Sequence, residues 1–420
     1  MTKEVLVPGL GNWVDGEKFF NRDVELELLT ERLRNGESIS LVAQRRIGKT
    51  SLMREAARRL GDDAISIHVD FEKSATPQDA LVELAVALKP HDTIWGSVSK
   101  IVAGGVKAAT EKLEEIKISE LSVSLRNSIS EDDWRQKGDE IFASLAATAD
   151  HQGKVVVLFL DEVPILVSRL LNGPDNQMTN DRRTQTDIFM SWLRDNALRH
   201  NKKIAVVVTG SIGLEPLLNQ AGLNGTLNAY QSFELQPWSP ETAAKCLMAL
   251  AAHRKLPITQ EIANYMISRL GCAIPHHVQM FFDHVEVHCR MNEIADEISI
   301  EHIDQVYETS MTGLRGHPEL SHMEERLRTI LSNDQFASAL EILTEASVVG
   351  EVSPETAITI CSKQENSSNP RYEMNALCAI LEHDGYILRN NGTYHFESTL
   401  LRDWWKNRFG NGYQPIGEKV

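Results

Sequence analysis

The sequence predicts an α/β fold: a parallel sheet with helices on both faces, then a run of helices and a small helix–hairpin module. Three observations carry this. Short apolar runs suited to strands, at 38–42, 64–71, 155–160 and 204–208, alternate with segments of helical spacing. The run Val155-Val156-Val157-Leu158-Phe159-Leu160 contains no polar residue, as a parallel strand covered on both faces requires. After residue 235 the strands stop and helix-start signatures take over.

The bulk properties narrow the class. A chain of 420 residues is long enough for two or three domains with sizeable cores. Its 42% hydrophobic and 24% charged residues are those of an ordinary globular protein. The net charge of −16 argues against non-specific nucleic-acid or anionic-membrane binding as the main activity. Cys246, Cys272, Cys289, Cys361 and Cys378 are scattered, without a C-x-x-C pair, and read as buried reduced thiols. The start Met-Thr-Lys-Glu lacks the apolar core of a signal peptide, and no apolar run approaches the ~20 residues of a membrane helix. The expectation is a cytoplasmic protein with no membrane partner.

In chain order, residues 1–36 begin irregularly with Pro8, Gly9, Gly11 and Gly16, and then predict a helix over 23–33. The strand at 38–42 leads into the segment 43–51, and helical spacing resumes at 53–60. The second strand, 64–71, precedes the helix start Thr76-Pro77. Residues 90–130 are less regular and read as an insertion. Within it, 101–109 suggests a packed or interfacial helix, 112–117 is charge-dense, and 116–125 alternates apolar and polar residues like an edge hairpin. Residues 132–149 predict a helix with Trp134, Ile141, Leu145 and Ala149 on one face. Residues 172–183 read as a polar loop, 188–198 as a helix and 204–208 as a buried strand. Ser239-Pro240-Glu241 and Thr259-Gln260-Glu261 open helices with acidic first turns, and 275–291 and 300–309 continue the run. Beyond 313–316, helices surround two short strands at 385–396 joined by Asn390-Asn391-Gly392-Thr393, a hairpin signal that suggests a winged helix.

The most informative segment is Ala43-Gln44-Arg45-Arg46-Ile47-Gly48-Lys49-Thr50-Ser51. A strand stops at Gly-Lys-Thr and a helix follows, the order that a nucleotide phosphate site needs. Backbone N–H groups of this loop would wrap the phosphates, Lys49 would reach the β/γ oxygens, and Thr50 would offer its hydroxyl to Mg²⁺. Ala43 stands where the pattern G-x-x-x-x-G-K-[ST] has its first glycine, and alanine fits only if that position is not left-handed.

Two further strand ends bear on the same chemistry. Asp161 and Glu162 follow the strand at 155–160, at the edge where α/β sheets bind ligands. Asp161 would hold Mg²⁺ through its water shell, and Glu162 would orient and deprotonate the attacking water; an acidic helix cap is the plainer alternative. The strand at 204–208 ends in Thr209-Gly210-Ser211, whose hydroxyls either sit beside the γ-phosphate, with Ser211 in a catalytic role, or cap the next helix. Arg45 and Arg46 either touch phosphate or pair with an acidic neighbour. Arg194 and Arg199 either reach a neighbouring subunit's nucleotide or lie on a solvated helix face. Asn21-Arg22-Asp23, beside Phe19 and Phe20, either covers the adenine, with Arg22 in contact, or belongs to core packing.

Together these segments resemble P-loop ATPases of the AAA+/STAND superclass, most closely the archaeal-type and STAND-related group with the signature R-R-x-G-K-T-S-L, matched by Arg45-Arg46-Ile47-Gly48-Lys49-Thr50-Ser51-Leu52. The resemblance extends to Phe20-Asn21-Arg22-Asp23-Val24-Glu25-Leu26, Leu160-Asp161-Glu162-Val163-Pro164, Thr209-Gly210-Ser211, 271–279 and the ending Tyr394-His395-Phe396 with Leu400-Leu401-Arg402-Asp403-Trp404-Trp405. It implies an ASCE-type P-loop sheet, a helical lid and a C-terminal winged helix, with expected domains at 1–236 (insertion about 90–130), 237–315 and 316–420. It also implies ATP/ADP and Mg²⁺ as cofactors. Many relatives place an arginine near the G-x-P segment; His276 and His277 stand in that neighbourhood here and either contact phosphate from the lid or are ordinary core or surface residues.

Two functions follow as expectations. The first is an ATP-binding and ATP-hydrolysing switch, slow or partner-stimulated, that couples nucleotide state to a protein partner, an effector or copies of itself. The alternative is a DNA-binding ATPase, like an initiator or transposition regulator, that uses the winged helix. Arg402, Lys406 and Arg408 beside Trp404 and Trp405 speak for the alternative, while the acidic balance of 316–420 speaks for the first.

Overall fold

The computed structural model describes residues 5–9, 13–105, 113, 118–313, 318–364 and 369–418. The chain divides into two compact units, one comprising Val24–Val42 and Leu52–Glu234, the other Met1–Asp23, Ala43–Ser51 and Leu235–Val420.

The first unit is built on five parallel strands: β1 (Ile39–Val42), β2 (Ala64–Asp70), β3 (Val155–Asp161), β4 (Ile204–Thr209) and β5 (Gln231–Glu234), in the order β2-β3-β4-β1-β5. β4 lies between β1 and β3, so the strands that end in Val42, Thr209 and Asp161 finish at one edge of the sheet. Val156 to Leu160 and every residue of β4 are buried, which is why both strands read as unbroken apolar runs. The helices of the sequence are α1 (Asp23–Arg34), α2 (Lys49–Leu60), α3 (Pro77–Leu88), α4 (Asp92–Val102), α5 (Ile118–Arg126), α6 (Trp134–Gln152), α7 (Val163–Asn172), α8 (Asn180–Arg199) and α9 (Leu214–Ala221). Thr76 starts α3 through a reciprocal capping box with Asp79. Trp134, Ile141, Leu145 and Ala149 are all buried on the inner face of α6.

Two expectations are corrected here. Residues 118–126, read as part of an edge hairpin over 116–125, form helix α5. Leu121 and Leu125, four apart, are fully buried, whereas Val123, which strand alternation would bury with them, is 67% exposed. Residues 116 and 117, the charge-dense 112 and 114–117 and the end of the proposed 101–109 helix lie outside the described residues. The loop expected over 172–183 is only 173–179. Gly173 caps α7, and Thr179 accepts from the Arg182 N–H to start α8. The first turns of α8 are polar and mostly exposed, so hydrophobic spacing shows only from 188 onward. Helix α2 likewise begins at Lys49, four residues before its apolar spacing.

In the second unit, four helices follow Leu235: α10 (Pro240–Arg254), α11 (Gln260–Leu270), α12 (Pro275–Met291) and α13 (Ile300–Val306), the last running into a π-turn over Tyr307–Met311. Ser239 and Thr259 cap α10 and α11 as their sequences predict. The remainder comprises α14 (Pro318–Ile330), α15 (Asn333–Val349), α16 (Pro354–Cys361), α17 (Pro370–His383), the antiparallel pair β6 (Ile387–Asn390) and β7 (Thr393–Phe396), and α18 (Thr399–Phe409). Asn391 (φ 50°) and Gly392 (φ 90°) make the tight hairpin turn. Trp404 and Trp405 are fully buried, and the Trp405 indole N–H donates to Thr344 Oγ1 of α15 at 3.3 Å. The N-terminal segment joins this unit, with Leu6 N–H donating to Ala249 O at 3.1 Å and Phe20 packed edge-on to Trp238 at 5.6 Å. All five cysteines are free and buried. Among the described residues, no helix is long and apolar enough to cross a membrane.

His68 in β2 stacks on Phe159 of β3 with ring centroids 4.6 Å apart. Burial first, and the Arg54 guanidinium second, lower its pKa from 6.5 to about 4. The folded state therefore resists a proton that the unfolded chain accepts, so His68 lowers stability as pH falls from 6.5 towards 4 and has no such effect above 6.5. Denaturant melts of His68→Phe against the native chain should show a shallower loss of stability across that window; parallel curves would contradict this assignment.

Candidate functional site

The segment 43–51 leaves β1 as a loop whose backbone turns are set by two left-handed residues, Arg46 (φ 66°) and Gly48 (φ 98°). Ala43 is not among the residues with positive φ, so its methyl group is accommodated without strain. Lys49, the first residue of α2, is buried, and its ammonium donates to Ala43 O and Gln44 O, both at 2.8 Å. The loop thus curls around its own lysine, and the amides of the first turn of α2 head the helix dipole. Thr50 follows on the same turn, and Ser51 Oγ accepts from the Val14 N–H at 3.0 Å. Ile47 is buried and anchors the loop.

Three consecutive loop side chains are held by residues far along the chain. Gln44 Nε2 donates to Glu397 Oε2, Arg45 Nη1 donates to His322 O at 3.1 Å, and Arg46 Nη1 meets His276 Nε2 at 2.7 Å. The arginines therefore have identified partners of their own, and His276 faces a loop guanidinium. His277 is buried. Arg22 is left-handed (φ 71°) and 7% exposed, and it donates to Gln236 O at 2.7 Å. With Phe20 on Trp238, that segment is core packing at least in part.

The sheet edge carries the other expected residues. Glu162 is left-handed (φ 57°), which turns the chain sharply from β3 into α7 and points its carboxylate towards the end of β4. That carboxylate accepts from Ser211 N–H at 3.0 Å and from Ser211 Oγ at 2.5 Å. Asp161 Oδ1 accepts from the Glu162 N–H at 3.0 Å, and Asp70 lies opposite Asp161 in register. Gly210 makes the approach feasible, because a Cβ there would stand 2.4 Å from Pro164 Cδ. Thr209 Oγ1 donates to Leu41 O at 3.0 Å and so ties β4 to β1. Of the two hydroxyls weighed at this strand end, Ser211 serves the acid and Thr209 serves the sheet. Arg194 pairs with Asp195 at 2.9 Å, and Arg199 lies 3.9 Å from Asp139.

Among the described residues there is no cluster of three or more His, Cys, Asp or Glu able to cage a metal. A magnesium ion does not need one, since it keeps most of its water and takes one or two carboxylates with phosphate oxygens. Asp161, at the end of β3, is a carboxylate of that kind. Sequence reading missed Glu397 and Gly385 as loop neighbours; Gln44 and Glu397 are separated by 353 positions, and no local pattern marks their pairing.

Both loop positions should lose stability on exchange, Gly48 in line with the pattern and Ala43 against it. Gly48→Ala forces a left-handed alanine and should cost about 1–2 kcal/mol. Ala43→Gly, which restores the pattern, should still destabilise by about 0.5–1 kcal/mol through backbone entropy. Chemical denaturation measures both; a stabilising Ala43→Gly would contradict the loop geometry.

No protein-family model matches the sequence, and no curated protein matches it. Solved structures do. A Walker-type ATPase of Pyrococcus abyssi superposes with a TM-score of 0.60 at 16% identity, covering 95% of this chain and 99% of its own. The ORC2 protein of Aeropyrum pernix, solved in ADPNP–ADP complexes, superposes with a TM-score of 0.50 at 13% identity, covering 93% and 94%. At such identities the likeness establishes architecture alone: the chain shares with these two proteins a parallel α/β sheet with helices, followed by a helical C-terminal region.

Proposed function

We propose that the chain is an ATP-binding and ATP-hydrolysing switch that couples nucleotide state to a protein partner or to self-assembly. The observation that carries this is the pairing of Glu162 with Ser211 at the ends of β3 and β4, in a sheet whose inner strand β1 leads directly into a Gly48-Lys49-Thr50 loop. An acid that merely capped a helix would not need a strained backbone and two donors from Ser211, just beyond the neighbouring strand. The fold shared with the Pyrococcus abyssi ATPase supports the same reading.

In this account the loop amides of 43–51 and Lys49 bind the phosphates, with Lys49 leaving the Ala43 and Gln44 carbonyls for the β/γ oxygens. Thr50 and Asp161 hold Mg²⁺, which offsets the charge of the phosphate oxygens. Glu162 takes the proton of the attacking water, and Ser211 fixes the direction of its carboxylate. Arg22 and the aromatic residues beside it flank the base. The helices from 237 to 315 act as a lid, and 316–420 act as a winged helix that reports the state of the site. The partner meets that region, or a second copy of the chain supplies an arginine such as Arg194 or Arg199.

DNA binding is the second reading, favoured by Arg371 and Tyr372, both exposed on α17 ahead of the β6–β7 wing. The basic–aromatic cluster near the end does not add to it. Trp404 and Trp405 are core residues, Arg402 pairs with Asp403 at 2.8 Å, and Arg408 pairs with Glu324 at 2.6 Å. Steeply salt-dependent binding of duplex DNA by the full chain would move the assignment to this reading.

Glu162→Gln decides the enzymatic part. It should bind ATP as the native chain does and release phosphate at least about a hundredfold more slowly, as loss of a general base does. Lys49→Ala should instead weaken ATP binding itself. Unchanged phosphate release by Glu162→Gln would remove Glu162 from the chemistry.

A further inference from the structure

The side chain of Gln44 is clamped from two directions by the C-terminal region. Its amide donates to Glu397 Oε2, in the turn between β7 and α18. Its stem lies against Gly385, where a Cβ would stand 2.4 Å from Gln44 Cδ and where φ is +77°. Glu397 is shared, because it also accepts a hydrogen bond from the thiol of Cys272, which burial and this carboxylate push up to about 12. Cys272 lies in the turn between α11 and α12, four residues before the His276 that holds Arg46. The loop, the α11–α12 turn and the base of the wing therefore meet in one network centred on Glu397.

Two features of that network oppose phosphate. The backbone carbonyl of Gln44 is one of the two acceptors that hold the Lys49 ammonium, so fixing Gln44 keeps Lys49 turned onto its own loop. The Glu397 carboxylate also adds a negative charge beside a loop that would receive an anion. A third feature offsets part of the cost of releasing the clamp: Gln44 Oε1 is buried with no hydrogen-bond partner among the described residues, a deficit relieved once Gln44 moves.

We propose that Glu397 is a positioning residue that latches the loop in its self-bonded form and competes with nucleotide phosphate for it. The proposal rests on the nucleotide reading above. Nucleotide then enters by drawing Lys49 away, which frees Gln44 from Glu397, and the wing base registers the change through Gly385 and β7.

Calorimetric titration with Mg²⁺–ADP and with a non-hydrolysable ATP analogue tests it on the full chain. Glu397→Ala should bind ADP about tenfold more tightly, the ordinary worth of a charge-assisted hydrogen bond. Glu397→Gln keeps an acceptor without the charge and should fall between the two. Gln44→Ala cuts the latch from the other side and should also tighten binding, and the double variant should match either single one. Should Glu397→Ala fail to fold, Glu397→Gln and Gln44→Ala decide the matter. If the native chain binds nucleotide and Lys49→Ala does not, but the latch variants bind equally or more weakly, the latch is wrong and the nucleotide reading stands. If no form binds nucleotide, both are overturned.

Discussion

The parallel pairing of β1 with β4 is the constraint on which the rest depends. It runs Ile39 against Val207 and Leu41 against Thr209, and a hydroxyl bond from Thr209 to Leu41 O secures its far end. Because β4 also pairs with β3, the strand that precedes the loop and the strand that bears the acids end at the same edge. The apolar content of β3 and β4 follows from this placement, since central parallel strands are covered on both faces. A polar residue there would have no partner, and a shift of register by one residue would turn every side chain over.

The chain accepts local strain at two of the candidate positions. A glutamate with φ of 57° and an arginine with φ of 66° lie in a region that residues other than glycine seldom occupy, and each such position costs about 1–3 kcal/mol. Both are held by specific partners: Glu162 by two donors of Ser211, and Arg46 by His276. Strain retained against such a cost marks positions whose side-chain direction matters.

The sequence made the sheet legible because Val155–Leu160 of β3 and Ile204–Val208 of β4 are apolar without interruption, and helix starts were announced by Thr76, Thr259 and Ser239. The β6–β7 hairpin was legible from Asn391-Gly392. Residues 116–125 misled because Ser119, Leu121, Val123 and Leu125 alternate with other residues in a way that fits two periods, and only burial separates them: Leu121 and Leu125 face inward while Val123 faces solvent. The start of α8 was missed because its first turns pack little. Of the candidate site, Lys49, Asp161, Glu162 and Ser211 could be named from strand ends and a motif. That Ser211 rather than Thr209 meets Glu162 depends on the turn at Gly210, which no spacing rule contains. The hold of Glu397 on Gln44 is tertiary and leaves no trace in local pattern.

The central claim is that the 43–51 loop and the strand-end residues Asp161, Glu162 and Ser211 serve one nucleotide. Amide hydrogen exchange with and without Mg²⁺ and a non-hydrolysable ATP analogue tests this directly, since ligand contact slows local opening. The account predicts that amides of 43–51 and of 161–163 and 210–212 gain protection together, at the same nucleotide concentration. Protection of only one of the two segments, or of neither at saturating nucleotide, would contradict it.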